Sequence, residues 1–92
     1  MKPLAKIKGL GRHLPSNKVD NQYFVDLGLD TSDEWISERT GIKSRYISDS
    51  KTAASELAYK ASLNAIKDAN INKTDIELII VATTTPDHIG FP

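Results

Sequence analysis

The chain has 92 residues, with 12 lysines and arginines against 12 aspartates and glutamates, so its formal net charge is zero. That length suits one small domain rather than two, and scattered, balanced charge sets up no field that would recommend nucleic acid or an acidic membrane as a partner. The absence of cysteine excludes a disulfide framework and a thiol nucleophile within these residues, and it fits a reducing compartment.

The opening stretch MKPLAKIKGLGRHLP has lysines but no long apolar core, so no signal peptide is expected. Ala5 to Leu10 reads as a short strand, Gly9, Gly11 and Pro15 mark a turn, and HLPSNKVD reads as a loop. Asp20 or Asn21 is placed to cap a short helix over Tyr23, Phe24, Val25 and Leu27 that stops near Gly28. Thr31 followed by Glu34 has the spacing of a capping box. Gly41 suits a left-handed stop for the helix this box would begin. IKSRYIS reads as a short strand or an extended connection.

Thr52 to Asn70 is the clearest helix, with Thr52 or Ser50 as its cap. Ala54, Ala58, Ala61, Ala65 and Ala69 recur at spacings of three and four, which stacks them on one face. Small and apolar residues fill more than half of the helical wheel. A helix of high propensity explains this, and so does a helix buried on two sides whose alanines admit a close neighbour. Ile76 to Thr85 is the clearest strand, with nearly continuous apolar residues of the kind found in parallel sheets covered on both faces. Its longest apolar run, LIIVA, is far too short to span a bilayer. A soluble cytoplasmic protein is therefore expected. Such a strand and helix want more neighbours than the chain offers, which points to part of a larger fold or to a protomer that needs a partner.

In DTSDEWISERTGI, Asp30 to Ile42, stands the chain's single tryptophan. Trp35 and Arg39, at i and i+4, share a helix face. An indole face and a guanidinium fork suit a stacking nucleobase and its phosphate, and Thr31 would add a hydroxyl near the positive end of the helix dipole. The same spacing also suits a tryptophan packed on the core with Arg39 over it and near Glu38 or Asp33. His13 and His88 have no metal-ligand spacing, although His88 lies just past the apolar run, where open α/β sheets gather ligands. GLG at Gly9–Gly11 is no dinucleotide fingerprint, because Leu14 stands where the third glycine would be, and no P-loop is present. Asp87–His88 reads as a solvated loop.

TSDEWISERTGIKSRYI closely resembles the N-terminal signature of the β-ketoacyl-acyl-carrier-protein synthase III family. IKGLGRHLPSNKVDN, ASELAYKASLNAIKDANI and DIELIIVATTTPDHIGFP are similar, in order and spacing, to the family's first strand, the helix after the signature and the strand leading to the active site. The resemblance implies an α/β chain forming the N-terminal part of a thiolase-like layered fold, a mixed sheet with helices, incomplete over residues 1–92. It implies a parent acyltransferase that takes an acyl group from coenzyme A onto a cysteine and condenses it, with decarboxylation, with malonyl-acyl-carrier protein to begin a fatty acid. By the same resemblance Trp35 stacks on the adenine of coenzyme A, Arg39 meets its phosphates, and Thr31 lies in the contact region. Phe91 matches a residue of the dimer interface and acyl pocket, although DHIGFP runs one residue longer before FP than some relatives.

Coenzyme A enters as substrate, with no prosthetic group and no metal. The implied partners are acyl-CoA, acyl-carrier protein and a second copy in a homodimer, with neither nucleic acid nor membrane. The family's catalytic cysteine, histidine and asparagine match no residue here, so no catalytic residue is expected in the chain and the fragment alone is expected to be inactive. The alternatives are a non-catalytic module that binds coenzyme A or a nucleotide, and a self-associating structural fragment.

Overall fold

A computed structural model describes residues 4–88. The chain divides into two units, Pro15–Asp49 and a second formed by the segments on either side of it.

In the Pro15–Asp49 unit, strand β1 (Asn17–Asp20) pairs antiparallel with β2 (Ser44–Ile47), placing Asn17 opposite Ile47 and Val19 opposite Arg45. β2 falls in the stretch expected to be extended. β1 corrects the loop expected over HLPSNKVD. Only Val19 of its four residues is half-buried, so β1 has no apolar alternation to read, and it is held by the ladder instead. Helix α1 (Gln22–Asp26) begins where the Asp20 carboxylate accepts the Tyr23 N–H at 3.2 Å, and the left-handed Gly28 (φ 90°) follows it.

Helix α2 (Asp33–Thr40) ends at Gly41, whose φ of 71° is the left-handed stop the sequence predicts. Its start differs from the expected box. Ser32, not Thr31, is the cap, and its hydroxyl accepts the Trp35 N–H at 3.1 Å. The helix begins one residue later than the box requires, so the third helical position falls on Trp35 and Glu34 has no reciprocal role. Asp33 and Glu34 in the first turn and Arg39 in the last still match the helix dipole.

Among the described residues no apolar side chain is fully buried. The one buried residue is Asn21, 1% exposed. Its amide nitrogen donates to Asp33 Oδ1 (2.8 Å), to the Ile42 carbonyl (2.9 Å) and, more weakly, to Ser37 Oγ (3.3 Å). Its oxygen accepts from Arg45 Nη2 at 2.6 Å.

The second unit is built on α3 (Ala54–Ala69), close to the predicted span. Asn70 stops it in the left-handed region (φ 55°), and the Ile71 N–H returns to the Ile66 carbonyl at 3.3 Å. The predicted caps Thr52 and Ser50 are replaced by Ala53, which offers no side-chain bond. A close neighbour does run along the alanines. A Cβ on Gly9 would come within 2.7 Å of the Ala65 oxygen and the Ala69 nitrogen, and one on Gly11 would collide with the Ala61 and Ala65 backbone. The crossing is tied by the Leu10 N–H to Asp68 (3.0 Å) and by the Asn64 amide to the Arg12 carbonyl (3.0 Å). Cover on two sides is not observed, since Ala58, Tyr59 and Leu63 are exposed.

Neither segment predicted as a strand in this unit is one. Ala5–Leu10 and Ile76–Thr85 join no ladder among the described residues, where β1–β2 is the only sheet. Strand propensity is realised only against a partner. Here Leu78, Ile79 and Ile80 stand 76%, 77% and 84% exposed. A one-turn 3-10 helix over Lys73–Asp75 precedes them, closed by reciprocal bonds between Asn72 and Asp75. No helix among the described residues is long and apolar enough to cross a membrane.

Candidate functional site

Trp35 and Arg39 face the same way from α2, one turn apart. The Arg39 guanidinium carbon lies 5.4 Å from the centroid of the indole, within cation–π range. Trp35 is 53% exposed, so it is not sealed in an interior. Asp33, considered above as a partner for Arg39, instead holds Asn21 and accepts from Ser37 Oγ at 3.3 Å. The result is a flat aromatic surface with a cation on it. Clefts of about 240 Å³ (Asp20, Asn21, Gln22, Asp33, Ser37, Lys43) and about 560 Å³ (among others Lys18, Tyr23, Asp26 and Ser44) lie in the same unit. Neither is lined by Trp35 or Arg39, so the pair forms a shelf rather than a pocket.

Thr31 precedes the Ser32 cap, and its N–H donates to the Leu29 carbonyl at 2.9 Å. Its hydroxyl is shielded from solvent and has no hydrogen-bond partner. Thr31 therefore stands near the start of α2 without presenting its oxygen at the surface. Phe91 lies outside the described residues. His13 is half-buried and His88 exposed. No group of three or more His, Cys, Asp or Glu gathers at metal-binding geometry among the described residues.

Two polar contacts were not legible in the sequence. One is the bond network of Asn21, which joins residues up to 24 positions away. The other is Asp87, whose Oδ1 accepts the Ser55 N–H at 2.9 Å in the first turn of α3. Hydrogen bonds from the Ser55 side chain and N–H, helped by nearby His88, hold the Asp87 carboxyl below its ordinary value of 3.8. The segment read as a solvated Asp–His loop thus supplies the cap that Thr52 and Ser50 do not. A residue 32 positions downstream gives no local signal for such a role.

The crossing of α3, the capped α2 and the two-stranded β1–β2 ladder have the fold of one part of a thiolase-like layered enzyme. The solved structure of 3-oxoacyl-[acyl-carrier-protein] synthase III from Aquifex aeolicus matches with a TM-score of 0.78 at 42% identity, over 95% of this chain and 27% of that one. The synthase III of Thermus thermophilus matches with a TM-score of 0.59 at 40% identity, over 68% of this chain and 19% of that one. By sequence the chain is homologous to β-ketoacyl-[acyl-carrier-protein] synthase III. It is 54% identical over 86 residues to that of Staphylococcus epidermidis and 56% identical over 86 residues to that of Staphylococcus aureus strain Newman. The chain spans 27% of the length of these curated relatives, and the match takes in 94% of the chain itself. No protein-family model matches.

Proposed function

We propose that the chain is the N-terminal part of a β-ketoacyl-acyl-carrier-protein synthase III, one continuous piece over residues 1–92 of a thiolase-like domain. The parent enzyme condenses an acyl-CoA, typically acetyl-CoA, with malonyl-acyl-carrier protein to initiate fatty acid synthesis in the cytoplasm, as a homodimer. The observation that carries this proposal is the 54–56% identity to synthase III proteins over 94% of the chain. The transferred acyl group passes from coenzyme A to a thiol. With no cysteine of its own, the chain contributes to substrate binding and the nucleophile comes from elsewhere in the enzyme.

Within that role α2 provides the nucleotide contact. The open indole of Trp35 takes the adenine ring, and Arg39, held 5.4 Å from the ring centroid, meets the phosphates of coenzyme A. Base–aromatic stacking contributes about 1–3 kcal/mol, and the guanidinium adds a charge-assisted contact. Thr31 belongs to the same region by its place beside the helix start. Phe91 keeps its proposed place at the dimer interface and acyl pocket. No metal or prosthetic group is invoked.

Calorimetric titration with coenzyme A tests the assignment. Binding that is lost in Trp35→Ala and strongly weakened in Arg39→Ala is expected. Equal affinity in wild type and both variants would remove the shelf from the site.

A further inference from the structure

The single buried residue among those described is polar, and it touches the helix that carries the shelf. Asn21 reaches three segments of the Pro15–Asp49 unit. It bonds Asp33 and Ser37 on the inner side of α2, the Ile42 carbonyl just past the Gly41 stop, and Arg45 on β2. Arg45 in turn lies over the Phe24 ring of α1, 4.7 Å from its centroid. One orientation of the amide satisfies this set. Its nitrogen has two protons for Asp33 and Ile42, and its oxygen has only Arg45, a donor, to face. Reversing the amide would set its oxygen against a carboxylate and a carbonyl.

Asp33 and Ser37 lie at i and i+4 on α2, as do Trp35 and Arg39, and the two pairs are offset by two residues. Two residues of helix turn the direction of projection by about 200°. The pair held by Asn21 and the pair forming the shelf therefore occupy roughly opposite sides of α2. No apolar side chain of α2 is fully buried and only Ile36 is half-buried, so hydrophobic packing alone holds the roll of this helix weakly. Hydrogen bonds to a buried amide have to fix it.

We propose that Asn21 is the positioning residue for the shelf: by fixing the roll of α2 against β2 and the turn after Gly41, it sets the plane in which Trp35 and Arg39 meet the nucleotide of coenzyme A. The ligand half of this statement rests on the function proposed above, and the geometric half does not.

The variant Asn21→Asp keeps the size of the side chain and the contact to Arg45 but places an acceptor against the Asp33 carboxylate and the Ile42 carbonyl. The double variant Asn21→Asp/Asp33→Asn exchanges donor and acceptor and restores that pair. The near-ultraviolet circular dichroism of the only tryptophan reports the surroundings of Trp35 without any ligand, and titration with coenzyme A reports binding. Asn21→Asp is expected to reduce the tryptophan signal and weaken affinity on the order of tenfold with far-ultraviolet helix content retained. The double variant is expected to recover part of both, since the Ile42 carbonyl still lacks its donor. Should Asn21→Asp fail to fold, Asp33→Ala cuts the shortest bond from α2 at an exposed position and is expected to lower the same two readings. An unchanged tryptophan signal in a folded Asn21→Asp or Asp33→Ala, or a double variant no better than the single, overturns the proposal. If wild type shows no affinity for coenzyme A while the tryptophan signal follows the expected pattern, the positioning role stands and the ligand assignment fails.

Discussion

A half-exposed indole under a guanidinium is an energetically ordinary feature. An exposed cation–π contact contributes about 0.5–1 kcal/mol, too little to organise a fold. Its value lies in holding a planar cation against a planar ring. Lysine has no planar fork, so Arg39→Lys is predicted to weaken binding of coenzyme A several-fold while leaving the thermal midpoint within experimental error. Isothermal titration and a melting curve on the same sample check both halves. The pairing of Trp35 with Arg39 was legible because helical spacing alone fixes which side chains share a face. Exposure was not legible, since the same spacing serves a packed tryptophan equally well. Nor was the isolation of the Thr31 hydroxyl, because moving the helix start by one residue gave the cap to Ser32.

Among the elements, α3 shows what alanine spacing can and cannot reveal. Its approximate span followed from composition and periodicity, and the left-handed stop at Asn70 is what the structure adds. The neighbour that uses its small residues is the Gly9–Gly11 segment, whose glycines matter for space rather than for φ. Gly11→Ala is predicted to destabilise this unit by about 1–3 kcal/mol, the usual cost of overpacking, measured by urea denaturation. Gly41→Ala meets open space but a φ of 71°, and its expected cost of about 1–2 kcal/mol comes from the left-handed backbone. The start of α3 depends on Asp87. Its folded-state pKa is lowered, so its contribution is complete above the unfolded carboxylate value and is lost as pH falls through the lowered one. Protection of the Ser55 amide, taken relative to its intrinsic exchange rate at each pH, should therefore be high at neutral pH. It should fall in Asp87→Asn and, in wild type, only when the solution is made more acidic than pH 3.8. The strands predicted over Ala5–Leu10 and Ile76–Thr85 were misread for one shared reason. An apolar run states a preference for cover, and the ladder that would supply it depends on residues that local pattern does not contain.

Taken as a whole, the chain exposes the run it would most be expected to bury. With Leu78 and Ile80 at 76% and 84% exposure, Leu78→Ser or Ile80→Thr should alter the stability of this chain by no more than about 0.5 kcal/mol, as surface substitutions do. In a full-length synthase III that covers this run, the same changes should cost about 2–5 kcal/mol. Paired denaturation curves make that comparison. The likeness to synthase III proteins was legible from the sequence because the Asp30–Ile42 signature and the flanking segments keep their order and spacing. The ties within each unit were not, since they rest on long-range polar contacts such as those of Asn21 and Asp87. The account turns on the open tryptophan, and that tryptophan is unique in the chain, so its fluorescence reports the shelf directly. Titration with coenzyme A is predicted to quench it, with a dissociation constant on the order of millimolar for a single stacked wall, and pantetheine, which lacks the nucleotide, is predicted to leave it unchanged. Equal quenching by both compounds, or none by coenzyme A, would contradict a nucleotide shelf on α2.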